Sequence, residues 1–277
     1  MKKLISVLLV ILMLALCGCT QQKNNSNTDV SSETTLSPTV KVTFPEGYSA
    51  VQIAKKLEEN QVCSAEDFMA EVNSLEKVKD VYKFASGIDN AGDRAFLLEG
   101  YVFPDTYEFY RGESASSALG RFLKNAENKL TDEYYIRAKK LGYSMDEIIT
   151  LASIIQKEAG MKAEMGKVSS VLHNRIESPD YGKLQCDVTI NYVNDYVTDS
   201  PYIDSDSSKF AELYNTYKCK GLPAGPICNP GIDAIKAALY PEDTNYFFFV
   251  TDSEKNYYYA STYKEHQENC KKCGLTG

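Results

Sequence analysis

The strongest candidate for a chemically active residue in this sequence is Glu158, a glutamate at the end of an apolar helical segment. The segment "LASIIQKEAG" covers residues 151–160, and its apolar residues have helical spacing. Glu158 follows Leu151 by seven residues and Ile155 by three, so it lies at the edge of the apolar stripe. A carboxyl group beside apolar neighbours loses solvation, which raises its pKa and keeps it protonated near neutral pH. The position therefore suits a general acid, such as one for glycosidic cleavage.

Two less specific roles for Glu158 stay open at this level. Most helix glutamates are solvated and take no part in chemistry. The same carboxylate is also placed to form a structural ion pair with Lys157 or Lys162.

The helix that must position Glu158 has a clear start in the sequence. Ser144 and Glu147 have the spacing of a capping box, in which each side chain bonds the backbone of the other residue. Gly160 is a plausible helix stop. The apolar residues between them predict one buried stripe, made of Ile148, Leu151, Ala152, Ile155 and Ala159.

The region before this helix contains a weak internal repeat. Residues 42–44 predict a short strand, residues 45–47 a turn, and Ser49 caps a helix that buries Ile53, Ala54 and Leu57. The segment from Thr106 repeats this pattern. The matched pairs are Phe44 with Phe109, Gly47 with Gly112, Ser49 with Ser114 and Leu57 with Phe122. Two such strand–turn–helix units predict a small α+β module.

The region after the helix alternates helices, loops and strands. A second helix is predicted through Val168 and Leu172, and a rigid loop rich in Pro and Gly through residues 221–231. A further helix is predicted over residues 233–239. The continuous apolar run at residues 246–250 predicts a buried strand, and residues 257–259 predict another strand.

The first 40 residues have the composition of an export signal and a tether. Lys2 and Lys3 precede an apolar run over residues 4–16, which is long enough for a signal peptide and too short to span a bilayer. The following "LCGC" is similar to a bacterial lipoprotein cleavage box with Cys19 as the lipidated residue; an ordinary signal peptide that leaves Cys19 a free thiol is the alternative. We therefore expect a lipoprotein signal peptide at 1–18, a disordered linker at 19–40, and a location at the outer face of the cytoplasmic membrane.

The bulk composition limits the function classes. The net charge of −8 argues against a nucleic-acid-binding protein, and the 20 tyrosines suit polar ring substrates. Only two histidines and a single C-x-x-C, Cys270 to Cys273, accompany the eight cysteines, so we expect no metal. Beyond the export region the cysteines are expected to be structural thiols or disulfides.

A set of motifs occurs in the same order as in a known family. These are "LASIIQKEA", "VLHNRI", "LQCDVTINY", "YNTY", "GLPAGPICNPG", "AIKAALYP", "YFFFV" and "STYKEH", within about residues 148–266. Together they resemble the YceG-like (MltG-type) endolytic murein transglycosylases. The segments "FPEGYSAVQIAKKL" and "LEGYVFPDTYEF" also match, the former to the LysM-like module of that family.

The resemblance implies a fold, a reaction and a set of site residues. The fold is α+β, with a small LysM-like module at 41–128 followed by a mixed helix/strand YceG-like catalytic domain at 129–277. The reaction is cleavage of peptidoglycan glycan strands between MurNAc and GlcNAc with a 1,6-anhydroMurNAc end. It needs no cofactor, and Glu158 is its acid/base. Cell-wall synthases are the implied partners. The implied substrate-binding residues are Asn174, Gln185, Asp187, Thr189, Asn215, Tyr217 and Asn229.

Three departures from the family pattern keep another reading open. Gln156 occupies the position of the first carboxylate in the family's usual Glu-x-Glu pair. The family's usual "SDPT" is replaced by "CDVT" at residues 186–189. Tyr257 stands where a histidine is usual. The alternative to the enzyme is a catalytically inactive peptidoglycan-binding lipoprotein. A solute-binding lipoprotein fits less well, because the chain has no pair of similar α/β lobes.

Overall fold

The computed structural model describes residues 37–203 and 206–275. These residues belong to one compact α+β unit. The predicted signal peptide, Cys19 and the linker up to residue 36 lie outside the described residues. The first strand begins at Thr39, so its first two residues fall within the predicted linker. Among the described helices, none combines the length and the apolar character needed to cross a membrane.

The first half of the unit is a two-stranded sheet covered by helices. Strand β1 (Thr39–Thr43) pairs antiparallel with β2 (Thr106–Tyr110), and Val42 lies opposite Tyr107. The helices of this half are α1 (Ala50–Glu59), α2 (Ala65–Val72) and α3 (Ala115–Lys129). The buried Ile53, Ala54 and Leu57 of α1 confirm the predicted apolar face.

The internal repeat is confirmed in three dimensions. Ser49 caps α1 and Ser114 caps α3 through the same side-chain bond to the third helical backbone N–H. Gly47 and Gly112 occupy the left-handed region in the two preceding turns, with φ of 81° and 70°. The equivalent strands of the two units pair with each other, so the repeated halves share one core.

The second half is mostly helical, with one hairpin. Its helices are α4 (Asp132–Leu141), α5 (Met145–Glu158), α6 (Met165–Glu177), α7 (Asp187–Tyr192), α8 (Phe210–Leu213), α9 (Ile232–Leu239) and α10 (Tyr263–Lys272). Strands β3 (Phe248–Thr251) and β4 (Tyr257–Ala260) form an antiparallel hairpin. The hairpin contacts α10 and α6.

Helix α5 is the centre of this half. Its capping box is confirmed, because the Ser144 N–H donates to Glu147 at 2.7 Å and the Glu147 N–H donates to Ser144 at 3.1 Å. The helix packs against α4, α6, α7 and α9, and it is therefore buried on almost every side rather than along one stripe. Ser153 is fully buried on the additional face, where it accepts a hydrogen bond from the Ile227 N–H at 3.0 Å.

The hairpin differs in one respect from the sequence prediction. The strand predicted at 246–250 begins at Phe248, and its residues are half-buried rather than buried. A two-stranded hairpin at the surface has no second layer on its outer face, so its aromatic rings cover one another instead. Tyr246 stacks on Tyr259 with ring centroids 5.3 Å apart. The predicted strand at 257–259 is confirmed as β4.

Candidate active site

A cleft of about 340 Å³ opens beside the C-terminal end of α5. Its walls come from α5, α6, α10, strand β3 and the loop that leads into α7. The lining residues are Glu158, Val171, Leu172, Arg175, Leu184, Gln185, Cys186, Asp187, Val188, Tyr217, Phe247, Phe248, Phe249, Tyr263 and His266. The cleft therefore combines two acidic groups, a basic group, amide and hydroxyl groups, and aromatic side chains, which is the composition of a site for a polar ring substrate.

Glu158 is the last residue of α5, and its carboxyl group faces this cleft half-buried. Burial raises the pKa of Glu158 to about 7, and the negative charge of Asp187 raises it further, whereas a hydrogen bond with the Cys186 thiol opposes the shift. The predicted loss of solvation is thus confirmed as the main cause. At neutral pH the group is divided between its acid and its carboxylate form.

The alternative ion-pair role for Glu158 is not what the structure shows. Lys162 instead pairs with Asp233, with a nitrogen–oxygen distance of 2.6 Å. None of the ion pairs among residues 37–203 and 206–275 includes Glu158. The carboxyl group is therefore left available to a ligand in the cleft.

Three predicted substrate-binding residues share the cleft with Glu158. The Tyr217 hydroxyl donates a hydrogen bond of 2.6 Å to the Asp187 carboxylate, which fixes both side chains at the cleft. Gln185 has a positive φ of 56°, and its backbone N–H donates to the Thr216 carbonyl at 3.1 Å. This strained backbone holds the loop so that the Gln185, Cys186 and Asp187 side chains all line the cleft.

Four other predicted substrate-binding residues do not line the cleft, and their substrate-binding role stays a prediction. The amide of Asn174 donates to the Thr244 and Tyr246 carbonyls, both at 2.9 Å, and so holds the segment before β3. Thr189 is fully buried and donates to the Cys186 carbonyl at 2.8 Å. Their polar groups are already paired with backbone groups.

Asn215 and Asn229 are the other two residues outside the cleft lining. The Asn215 side chain accepts a hydrogen bond from the Tyr217 N–H at 2.9 Å, which shapes a turn. Asn229 is fully buried between the two halves of the fold. Its amide oxygen accepts from the Gly100 and Val102 N–H groups at 2.9 and 2.8 Å, and its nitrogen donates to Glu99 at 2.7 Å.

Sequence reasoning missed several residues of the cleft. Arg175 follows Asn174 directly in "VLHNRI", but a cleft-facing arginine has no local signature. The apolar run at 246–250 was interpreted as a core strand, although Phe247, Phe248 and Phe249 line the cleft. Tyr263 and His266 lie on α10, and both belong to the "STYKEH" motif.

Comparisons with known proteins identify the family of the chain. The model of the YceG-like family matches residues 20–272. The chain belongs to the YceG-like family. The endolytic murein transglycosylase of Bacillus subtilis (strain 168) is 30% identical over 241 residues, which cover 82% of this chain and 63% of that protein. The protein of the same name from Streptococcus pneumoniae serotype 2 (strain D39) is 28% identical over 244 residues, covering 82% of this chain and 43% of that protein.

A solved structure of the YceG-like family has the same fold. The crystal structure of a YceG-like protein from Listeria monocytogenes superposes with a TM-score of 0.70 at 28% identity, covering 83% of this chain and 75% of that one. This YceG-like chain spans less than two thirds of the length of the curated relatives that it matches.

Tyr257, where the YceG-like family usually has histidine, contacts the backbone at the end of α5. Its hydroxyl donates to the Glu158 carbonyl at 3.0 Å and accepts from the Gly160 N–H at 2.8 Å. The helix ends at Glu158, and its carbonyl would otherwise lack a partner. Tyr257 therefore holds the backbone that carries the acid.

Gln156, the other departure in this YceG-like chain, faces away from the cleft. Its amide oxygen accepts from the Gly231 N–H at 3.0 Å and thus attaches α5 to the start of α9. The first position of the Glu-x-Glu pair is therefore structural in this chain, and Glu158 is the carboxyl group that the pair contributes to the cleft.

The described part of the chain contains neither a cluster of metal-ligating side chains nor a disulfide. Residues 37–203 and 206–275 contain no group of three or more His, Cys, Asp or Glu side chains that could hold a metal ion. The six cysteines in these residues are free thiols, which decides between the two states left open by the sequence.

Proposed function

We propose that this YceG-like chain is an endolytic peptidoglycan lytic transglycosylase. It cleaves the glycosidic bond between MurNAc and GlcNAc and leaves a 1,6-anhydroMurNAc end. The observation that carries the proposal is the Glu158 carboxyl group, half-buried in an aromatic-lined cleft with a pKa raised to about 7. The family membership and the names of the curated relatives support it.

The reaction needs one group that first gives and then takes a proton. Protonated Glu158 donates its proton to the glycosidic oxygen while the bond from that oxygen to MurNAc C1 breaks, and GlcNAc leaves with a free 4-hydroxyl. The Glu158 carboxylate then accepts the proton of the MurNAc 6-hydroxyl as its oxygen bonds to C1. No water is consumed, and the intramolecular attack benefits from proximity.

The electrostatic surroundings of Glu158 support both steps. A carboxyl group with a pKa near 7 is a strong enough base to regain its proton and is still substantially protonated at neutral pH. The nearby Asp187, which accepts the Tyr217 hydroxyl, favours the oxocarbenium-like transition state by its negative charge. Gln185 and the aromatic walls supply sugar contacts.

The remaining sequence expectations extend this proposal. The protein is anchored through lipidated Cys19 at the outer face of the cytoplasmic membrane, with residues 19–40 as its tether. Residues 41–128 form a LysM-like glycan-binding module and residues 129–277 the YceG-like catalytic domain. The paired β1 and β2 strands with the helices between them support the first of these assignments. Cell-wall synthases are the partners that would deliver new strands.

Product analysis tests the proposal. The chain without residues 1–18 is incubated with purified glycan strands, and the products are examined by mass spectrometry. We expect ends lighter by one water than reducing ends, formed by the native chain and not by Glu158→Gln. Glu177→Gln, which alters an exposed glutamate at the end of α6, is the matched control and keeps activity.

Two other results would each replace the proposal. Reducing ends would mean hydrolysis, with Asp187 as the second carboxylate that hydrolases use. Tight glycan binding without turnover by the folded native chain would mean an inactive peptidoglycan-binding lipoprotein.

A further inference from the structure

Arg175 is a buried cation on the cleft wall. Its side chain extends from α6 into the cleft lining, and the residue is only 5% exposed. The ion pairs among residues 37–203 and 206–275 do not include it. A desolvated charge without a counter-charge is costly, and proteins normally pair such groups.

The hydrogen bonds of Arg175 fix its position without neutralising it. Nε donates to the Lys183 carbonyl at 2.8 Å, Nη1 donates to the Phe247 carbonyl at 3.1 Å, and Nη2 donates to the Gln185 amide oxygen. All three acceptors are uncharged. Three of the five N–H groups of a guanidinium are thus used, and two remain.

Two aromatic rings hold the guanidinium in a defined plane. Its central carbon lies 5.4 Å from the ring centroids of both Tyr181 and Phe248. Cation–π contacts reduce the cost of burial, but they leave the full positive charge in place. The guanidinium is therefore preorganised, so it would lose little freedom on binding a planar, two-oxygen anion.

Neither Asp187 nor Glu158, the two carboxyl groups of the cleft, forms an ion pair with Arg175. Asp187 accepts the Tyr217 hydroxyl, and Glu158 is divided between its neutral and charged forms at neutral pH. His266 also lines the cleft, and burial and the charge of Arg175 lower its pKa. This end of the cleft thus presents one positive charge.

We propose that Arg175 binds a carboxylate of the glycan substrate and makes the cleft select strands that carry one next to the cleaved bond. This inference rests on the proposed function. Two parts of peptidoglycan supply the group. One is the lactyl carboxylate of MurNAc that has lost its peptide, and the other is a carboxylate within the stem peptide.

The test compares substrates within one enzyme. Four glycans of equal length are used: one with free lactyl carboxylates, one with these converted to methylamides, one with stem peptides, and one with the peptide carboxylates amidated. We expect the native chain to prefer one acidic glycan over its neutral partner by roughly tenfold to a hundredfold in kcat/KM, the range for a hydrogen-bonded charge. The pair that shows the preference identifies the source of the carboxylate.

Variants separate recognition from a purely structural role. Arg175→Gln should reduce the ratio of kcat/KM for the acidic glycan to kcat/KM for its neutral partner to about one. A general loss of activity in this variant would affect both substrates equally and leave the ratio unchanged. Arg175→Lys keeps the charge and should keep part of the ratio. Arg137→Gln is the matched control, because Arg137 also donates to a backbone carbonyl, that of Leu239 at 2.8 Å, and stacks on an aromatic ring but is not among the cleft-lining residues. Its ratio should equal that of the native chain.

Each outcome decides the matter. Equal turnover of all four glycans by the native chain overturns the role of Arg175 and leaves the proposed function intact. If no glycan is cleaved, the proposed function fails, and the affinities of the same four glycans are measured by calorimetry. A preference for acid that Arg175→Gln removes then supports the carboxylate site, and equal affinities overturn it. If Arg175→Gln does not fold, the ratio in the native chain and in Arg175→Lys decides.

Discussion

The Tyr257 hydroxyl lies 3.0 Å from the carbonyl oxygen of Glu158, a residue 99 positions earlier in the chain. The same hydroxyl lies 2.8 Å from the amide nitrogen of Gly160. It thereby bridges the backbone on both sides of Ala159, where the chain leaves the helix in an extended conformation. A hairpin residue far away in sequence thus fixes the backbone at the end of α5 that carries the Glu158 side chain.

Removing this bridge should slow catalysis without preventing binding. Tyr257→Phe loses two hydrogen bonds to the backbone beside Glu158, each worth about 1 kcal/mol, so we expect kcat to fall roughly tenfold with little change in KM. Steady-state kinetics on glycan strands measure both values. Tyr258→Phe is the control, since Tyr258 bonds Asp252 on the hairpin, and it should behave as the native chain. Equal kcat values for the two variants would exclude a positioning role for Tyr257.

The pH dependence of kcat/KM should report the Glu158 proton, because kcat/KM follows the ionisation of the free enzyme. The acid form is active in the first step and disappears as pH rises through about 7, so kcat/KM should fall on the alkaline side. Asp187→Asn removes a charge that raises the Glu158 pKa, and the alkaline limb should move to lower pH. Asp132→Asn removes an equal charge at the start of α4, where it pairs with Lys83, and should leave the profile unchanged. An Asp187→Asn profile that coincides with the native one would contradict the electrostatic coupling.

The free energy of unfolding should depend on pH through the protonation of Glu158. Its pKa in the folded protein, about 7, lies above the ordinary value of 4.5, so the folded state holds the proton more tightly than the unfolded state. The contribution of Glu158 to the free energy of unfolding is therefore complete below pH 4.5 and is lost as pH rises to 7. Glu158→Gln has no proton to lose at this position. The difference in free energy of unfolding between Glu158→Gln and the native chain should therefore shift in favour of the variant by up to about 3 kcal/mol between pH 5 and pH 8.

Urea unfolding at the two pH values measures this difference. Glu99, fully buried with a pKa raised to about 8 chiefly by burial, titrates in both proteins and cancels in the comparison. Glu177→Gln is again the control and should show no pH-dependent gain. A pH-independent difference between Glu158→Gln and the native chain would mean that the carboxyl group is solvated.

Asn229 should matter for folding rather than for substrate. Asn229→Ala leaves the Gly100 and Val102 N–H groups without their acceptor and Glu99 without one donor, all in the buried junction of the two halves. We expect a loss of about 3 kcal/mol in the free energy of unfolding, because buried unpaired groups cost about 1–3 kcal/mol each. Asn215→Ala, at a half-buried turn, should cost less than half of this.

Urea melts together with glycan affinity distinguish the two roles of Asn229. An Asn229→Ala variant that is as stable as the native chain but binds glycan poorly would support the substrate-binding role predicted from the family motifs.

Local signals in the sequence gave correct local structure. The capping box of Ser144 and Glu147 and the Ser49 and Ser114 caps depend on residues within one helical turn, so spacing alone predicts them. The position of Glu158 at the edge of an apolar stripe likewise follows from helical periodicity, and so does the loss of solvation that raises its pKa.

Tertiary structure decided which polar residues of the motifs face the cleft. Asn174 and Asn229 bond backbone groups 70 and 129 residues away, and nothing in their own segments reveals those partners. Arg175 and the aromatic residues of β3 reach the cleft wall because α6 and the hairpin pack side by side. The sequence by itself determined helices α1, α3, α5, α6 and α9, the serine caps of the first three and the position of Glu158, since these depend on neighbours in the chain. Whether a polar group serves substrate or fold depends on groups brought together by packing, and only the folded chain decides that.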